Sequence, residues 1–313
     1  MTNRAKLALL LLPSLLAAGE AVTLDTGTGT LFGTLEIPPK TPAPVVLIIA
    51  GSGPTDRDGN STALKGSNNS LKMLAEGLAA QGIASLRYDK RGIAESKAAA
   101  TESNLRFETY IDDAVRWGEY LRKDKRFRAI IIAGHSEGSL IGMIAAVKLP
   151  ADGYVSIAGP GRPAGSLLLE QLQGKIPDKL FQKAQDAVKT LESGKTVDPV
   201  PPALISLFRP VVQPYLISWF KYDPPKEIAK VKIPVLIAQG TTDIQISVDD
   251  AKHLSAANPA AKLALIEGMN HVLKDVPSDM ARQVESYSDP ALPLDAKLLD
   301  EIVALVQKAA KSK

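Results

Sequence analysis

The stretch Gly134-His135-Ser136-Glu137-Gly138 sets a serine between two glycines, one two residues before it and one two residues after. It follows the apolar run Ala129–Ala133 and precedes a helical pattern over 137–147. A serine on a sharp turn between a buried strand and a helix presents its hydroxyl outward, and such a turn leaves no room for side chains at the two flanking positions. That is the geometry of a nucleophile in acyl transfer. The same stretch can also be read as a glycine-rich helix entry that holds an anion. The buried strand ahead of it favours the nucleophile.

A serine hydroxyl is a weak nucleophile, so a base must take its proton and an acid must orient that base. On strand–turn–helix sites of this kind the acid and then the histidine follow the serine along the chain. His253, in Asp249-Asp250-Ala251-Lys252-His253, sits on a polar helical face and reads as solvated. His271, in Glu267-Gly268-Met269-Asn270-His271, lies in a glycine-bearing loop just after a strand over 262–267. That strand ends at the sheet edge from which Ser136 emerges, so His271 is the expected base. The preceding strand, 234–239, runs into Gly240-Thr241-Thr242-Asp243, which makes Asp243 the expected acid, with Asp249 and Asp250 as weaker substitutes. His135, beside the nucleophile, is expected to point into the sheet in a structural role. A tetrahedral oxyanion also needs hydrogen-bond donors. The N–H of Glu137 is one. The loop Gly51-Ser52-Gly53-Pro54 offers the second, from Ser52 or, next in order, Gly53, unless it is only a turn into the polar stretch beyond.

These groups need a scaffold, and the rest of the chain describes one. A hairpin over 22–38 is followed by buried or alternating strands at 45–50, 83–88, 129–133, 153–158, 234–239 and 262–267. Helical spacing appears at 70–80, 107–121, 137–147, 248–256 and 294–310. Alternating β and α with continuous apolar strands means a mostly parallel sheet covered on both faces. Across 161–231 the alternation stops: 167–172, 178–191 and 203–220 read as helices among prolines, the pattern of a helical lid inserted at the carboxyl edge of the sheet. The expected division is thus a core of 22–160 and 232–313 with a lid at 161–231. Ahead of it, Arg4 and Lys6 precede the apolar stretch Leu7–Leu16 and small residues to Ala21, the order of a secretory signal over 1–21. Export to the periplasm or beyond is therefore expected, with no stable insertion in a membrane.

Composition narrows the chemistry. The 313 residues include no cysteine and three histidines, so thiol catalysis is excluded and a metal centre has few ligands to draw on. Thirty-seven basic against 34 acidic residues give a net charge of +3, too near neutral to suggest a polyanion partner. Aromatic residues make up only 5%, which argues against a nucleic-acid surface. Neither a cofactor nor a metal is expected, and the oligomeric state is not legible.

Taken together, the turn at Ser136, Gly240-x-x-Asp243, Gly268-Met269-Asn270-His271 and the Gly51–Pro54 loop resemble the α/β-hydrolase superfamily. Arg87-Tyr88-Asp89-Lys90-Arg91-Gly92 is similar to the loop that many members carry after their fourth strand. The resemblance runs from about Val45 to the C-terminus and looks most like bacterial esterases of the dienelactone-hydrolase and serine-aminopeptidase-like groups. One departure is Ala50, where many members have histidine before the oxyanion glycine. The resemblance implies an α/β-hydrolase fold and a serine hydrolase cleaving small carboxylic esters of short or medium acyl length. The runner-up is an aminopeptidase or amidase on the same triad. A non-catalytic exported binding protein is a third reading, disfavoured because every triad position holds a competent residue.

Three other signals carry no site. Asp56-Arg57-Asp58-Gly59-Asn60 lacks the glycine position and terminal carboxylate of a calcium loop. The basic cluster Arg122–Arg126 sits at a helix C-terminus, where cations complement the dipole. Arg91 could anchor a substrate carboxylate, although an ion pair with Asp89 or another acid accounts for it more simply.

Overall fold

The computed structural model describes residues 19–311. Eight strands form one sheet: β1 (Glu20–Asp25), β2 (Thr30–Glu36), β3 (Ala43–Ile49), β4 (Ala84–Tyr88), β5 (Phe127–His135), β6 (Gly153–Ile157), β7 (Val235–Gly240) and β8 (Lys262–Ile266). Their spatial order is β1-β2-β4-β3-β5-β6-β7-β8. The first two strands join antiparallel, and β4 through β8 run parallel. The apolar runs read from sequence as strands all lie in this sheet.

The period-two geometry of a strand sends alternate side chains to opposite faces, and in β3 both faces are dry. Val45, Leu47 and Ile49 join one core cluster with Trp117 and Leu140, whereas Val46 and Ile48 join another with Leu74 and Ile302. The helices supplying those clusters are α1 (Ser70–Ala80), α2 (Phe107–Lys123) and α3 (Glu137–Lys148), and later α9 (Val248–Ala257) and α11 (Ala296–Lys311), whereas α10 (Met280–Ser286) lies outside them. Each fully buried aliphatic side chain contributes about 1.5–3 kcal/mol. This double burial fixes the register of every central strand and so the position of every loop at the carboxyl edge.

Between β6 and β7 the described chain has no strand. It holds α4 (Ala164–Leu172), α5 (Asp178–Glu192), α6 (Ile205–Phe208), α7 (Gln213–Trp219) and α8 (Pro224–Ile228). The helix expected over 203–220 is in fact a 3-10 turn at Pro202–Leu204 followed by two short helices. Proline explains the break: Arg209, before Pro210, is extended at φ −53° and ψ 145°, as a residue preceding proline must be. The short α8 and α10 have too few turns to show a period in the sequence. The segment forms a small cluster of its own from Leu191, Phe208, Leu216 and Phe220 among others.

The leader reading falls mostly on residues outside those described. At its boundary, Glu20 and Ala21 already belong to β1, pairing with Leu35 and Thr34, so the fold begins two residues earlier than the patterning indicated. Among the described residues no helix is long and apolar enough to cross a membrane.

Candidate active site

The carboxyl ends of five parallel strands hold the candidate groups. Strand β5 ends at His135 and α3 starts at Glu137, so Ser136 alone makes the turn, at φ 54° and ψ −124°. A side chain rarely adopts that backbone region. The flanking glycines are required sterically: a Cβ at 134 would lie 2.0 Å from the Gly138 oxygen, and one at 138 would lie 2.4 Å from the Ile49 oxygen. The Ser136 N–H donates to the Ile157 carbonyl at 2.9 Å, anchoring the turn to β6.

His271 follows β8 and Asp243 follows β7. The two meet: His271 Nδ1 lies 2.9 Å from Asp243 Oδ2. Asp243 Oδ1 accepts from the backbone N–H groups of Gln245 and Ile246 at 2.8 and 3.0 Å. Burial by itself would raise the Asp243 pKa, but His271 and those two N–H groups together outweigh it and hold the carboxyl below its ordinary value. It is therefore anionic at neutral pH, as an orienting acid must be, and its contact sets the His271 tautomer with the proton on Nδ1 and a lone pair on Nε2. The two loops are laced together, with Thr242 Oγ1 donating to Gly268 O at 2.7 Å and Gly268 N to Thr241 Oγ1 at 3.0 Å. Asn270 holds the histidine loop from inside, its Oδ1 accepting from Val272 and Lys274 N–H, both at 3.1 Å.

His135 does not turn into the sheet. Its Nε2 lies 2.8 Å from the backbone oxygen of His271, and the rings stand 4.8 Å apart. A carbonyl only accepts, so His135 Nε2 carries the proton. Burial first, then the neighbouring His271, lowers its pKa to about 3, so it is a neutral prop under the histidine loop. Strand geometry hid this, because the ring leaves β5 at its last residue, where the alternation no longer constrains it.

Ser136 and His271 line one cavity of about 270 Å³ with Ser52, Asn68 and Tyr287. Ser136, Ser52 and Glu137 also line a second, of about 280 Å³, roofed by Leu167, Leu168, Leu207, Trp219 and Phe220 from the helical segment. A third, of about 440 Å³, extends from Ser52 and Glu137 toward Leu105, Tyr110 and Arg209. Ser52 borders all three. Among the described residues, the backbone N–H groups of Ser52 and Glu137 have no acceptor. Gly51 lies close under Ser136: a Cβ there would come within 3.1 Å of the Ser136 Cβ.

The alternative acids and base go elsewhere. His253 is exposed on α9. Asp249 is exposed and pairs with Lys252 at 2.8 Å. Asp250 is buried but is taken up by Arg162, at 2.9 and 2.8 Å, and by the Ser247 cap. Arg91 is saturated by Asp113, at 2.6 and 3.0 Å, and Asp89 by Arg57. Asp58, in the loop that mimics a calcium site, pairs with Arg87 at 2.7 Å. No cluster of potential metal ligands occurs among the described residues.

Sequence reading passed over Lys90 and Tyr215. Lys90 Nζ donates to Glu137 Oε2 at 2.7 Å and to Gly51 O at 2.6 Å, and the Tyr215 hydroxyl donates to Glu137 Oε1. The signal was partial: Lys90 follows a buried strand, where a lysine needs a partner, but nothing near it in the sequence names that partner.

A family model described as serine aminopeptidase, S33, matches residues 65–199, a span that includes Ser136. Esterase EstD of Thermotoga maritima is 28% identical over 294 residues, 91% of this chain and 67% of that protein. Among solved structures, Est1E from Butyrivibrio proteoclasticus superposes with a TM-score of 0.58 at 17% identity, covering 92% of this chain and 99% of that one. Proline iminopeptidase of Mycobacterium smegmatis does so with 0.58 at 13%, covering 94% and 99%. At such identities the two structures share the fold.

Proposed function

We propose that this chain, which has the α/β-hydrolase fold, is a serine hydrolase of small, uncharged carboxylic esters. One observation carries the reading: a buried His271–Asp243 pair opens on the same cavity as a serine held at positive φ between two obligatory glycines. Ser136 Oγ attacks the ester carbonyl carbon while His271 Nε2 takes its proton, and the carbonyl π pair moves to oxygen. The N–H groups of Ser52 and Glu137 stabilise that oxyanion. Its collapse breaks the bond to the alcohol oxygen, which leaves with the proton from His271. Water then repeats the sequence on the acyl-serine, releasing acid and restoring the hydroxyl. General-base help is worth about 10²–10⁴ in rate.

Esters are favoured over amino-terminal peptides because, among the described residues, the cleft offers a substrate ammonium no free carboxylate. Glu137 already holds Lys90 and Tyr215, and Glu102 holds Arg209. An ammonium left unpaired in such a site is costly. The acids Glu170, Asp178, Asp186, Glu192 and Asp198 of the helical segment are all exposed. Its apolar residues instead roof the cavity at Ser136, suiting a short or medium acyl chain. On this reading the segment at 161–231 acts as a lid. The aminopeptidase reading keeps one support, the family model over residues 65–199. The similarity to EstD, an esterase, supports the ester reading. The basic and apolar order of residues 1–21 further supports export before the enzyme acts.

The deciding experiment compares kcat/KM for p-nitrophenyl butyrate with those for alanine and proline p-nitroanilides. The butyrate is expected to be preferred, and a fluorophosphonate should modify Ser136 and no other residue. Preference for either anilide promotes the peptidase. A folded wild-type protein that neither labels nor hydrolyses removes the serine-hydrolase reading.

A further inference from the structure

Lys90 and Glu137 form an ion pair whose side chains are each only 2% exposed, between the end of β4 and the start of α3. Burying two charges costs several kcal/mol apiece, and an apolar pair of similar volume is often as stable or more so. Stability alone therefore gives no reason for a lysine here. Its second bond does: Nζ lies 2.6 Å from the Gly51 carbonyl oxygen. That carbonyl belongs to the trans peptide whose other end is the Ser52 N–H. In a planar trans peptide the C=O and N–H point in opposite directions. Holding the oxygen toward the protein interior thus turns the N–H toward the cavity that Ser52 shares with Ser136.

We propose that Lys90 is the positioning residue of the oxyanion hole, fixing the Gly51–Ser52 peptide with its N–H toward the substrate carbonyl oxygen and tying it to Glu137, whose own N–H is the second donor. The assignment rests on the serine-hydrolase reading above. Rotation of this one peptide would replace the donor with a carbonyl oxygen, which repels a developing oxyanion. The loop has few other restraints against that rotation. Ala50 carries only a methyl group and Gly51 no side chain, while the next carbonyl, Ser52 O, is held by Thr55 Oγ1 at 2.8 Å. Lys90 therefore secures the Gly51–Ser52 peptide plane from outside the loop. Because the ammonium bonds to the peptide oxygen, it also polarises the N–H at the opposite end and makes it a stronger donor. Glu137 Oε1 receives the Tyr215 hydroxyl from α7, so the same carboxylate joins the helical segment to this arrangement.

The test uses the full-length protein and two variants, Lys90→Met and the double variant Lys90→Met/Glu137→Gln. The double variant removes both buried charges, so that an unpaired carboxylate cannot unfold the chain. For p-nitrophenyl butyrate, kcat is expected to fall about 10²-fold, near the loss that follows removal of one oxyanion donor, with KM within about threefold of wild type. Affinity for a trifluoromethyl ketone, whose adduct with the serine carries the oxyanion, should fall in parallel with kcat. A folded double variant that keeps kcat and ketone affinity within threefold of wild type overturns the assignment and leaves the hydrolase reading intact. A loss confined to KM overturns it equally, since positioning a transition-state donor does not act through ground-state binding. A folded wild-type protein that does not hydrolyse the ester ends both.

Discussion

The carboxyl edge of the sheet and the helical segment at 161–231 meet at one cleft but are built differently. At the sheet edge, each group with a proposed chemical role stands within a few residues of a strand end and is bonded through buried backbone. Asp243 takes two N–H groups, Ser136 binds β6, and His271 rests on His135. The helical segment supplies none of the proposed triad. It meets the cleft with Leu167, Leu168, Leu207, Trp219 and Phe220 and is tied to the core by discrete contacts, such as the Phe107 N–H to Ser218 Oγ at 2.7 Å. On the proposed reading, the contrast teaches that the strands fix what reaction can occur, while the helices between β6 and β7 select what enters. Substitutions in the two regions should then separate into losses of turnover and changes of preference.

The sharpest way to break this division is Asp243→Asn. It keeps the shape but allows the wrong His271 tautomer, and kcat should fall by about 10²–10⁴ with KM little changed in steady-state assays. His253→Ala should be silent in the same assay, and damage there would move the base to α9. A smaller effect is expected from Leu168→Trp, which fills the cavity beside Ser136 without touching the triad. Discrimination against octanoate relative to acetate esters should rise about tenfold, the scale of a few methylenes in an apolar pocket, while the labelling rate with a small fluorophosphonate stays unchanged. A slower labelling rate would mean that the helical segment also supports the chemistry. The smallest effect belongs to Asp250→Asn, which weakens the grip on Arg162 where the segment leaves the core. Its thermal midpoint should drop by a few degrees with Ser136 still fully labelled. Lost labelling in a folded sample would make Asp250 part of the reacting apparatus.

Much of the sheet edge was legible because its constraints are local. Glycines at 134 and 138, a β-branched run and a loop after each strand are signals that one short stretch can carry. His271 and Asp243 are 28 residues apart in sequence, yet chain order and strand ends were enough to pair them. What escaped was non-local or small. Lys90 has meaning only beside Gly51 and Glu137, 39 and 47 residues away. The direction of the His135 ring depends on where the His271 loop lies. In the helical segment, periodicity ran straight through Pro210 and merged three short elements into one, because an apolar spacing persists whether or not the backbone hydrogen bonds do.

The backbone of Ser136 has a thermodynamic side as well. A non-glycine residue held at φ 54° costs roughly 1–3 kcal/mol, and a domain's whole margin against unfolding is only about 5–15 kcal/mol. Glycine would sit at this position without that cost, so Ser136→Gly yields a sturdier chain that has lost its hydroxyl, whereas Ser136→Ala keeps the strain and is the better-matched inactive control. The turn is thus a point where durability and chemistry pull against each other within a single residue. Under selection for heat resistance alone, Ser136 would be among the first residues replaced.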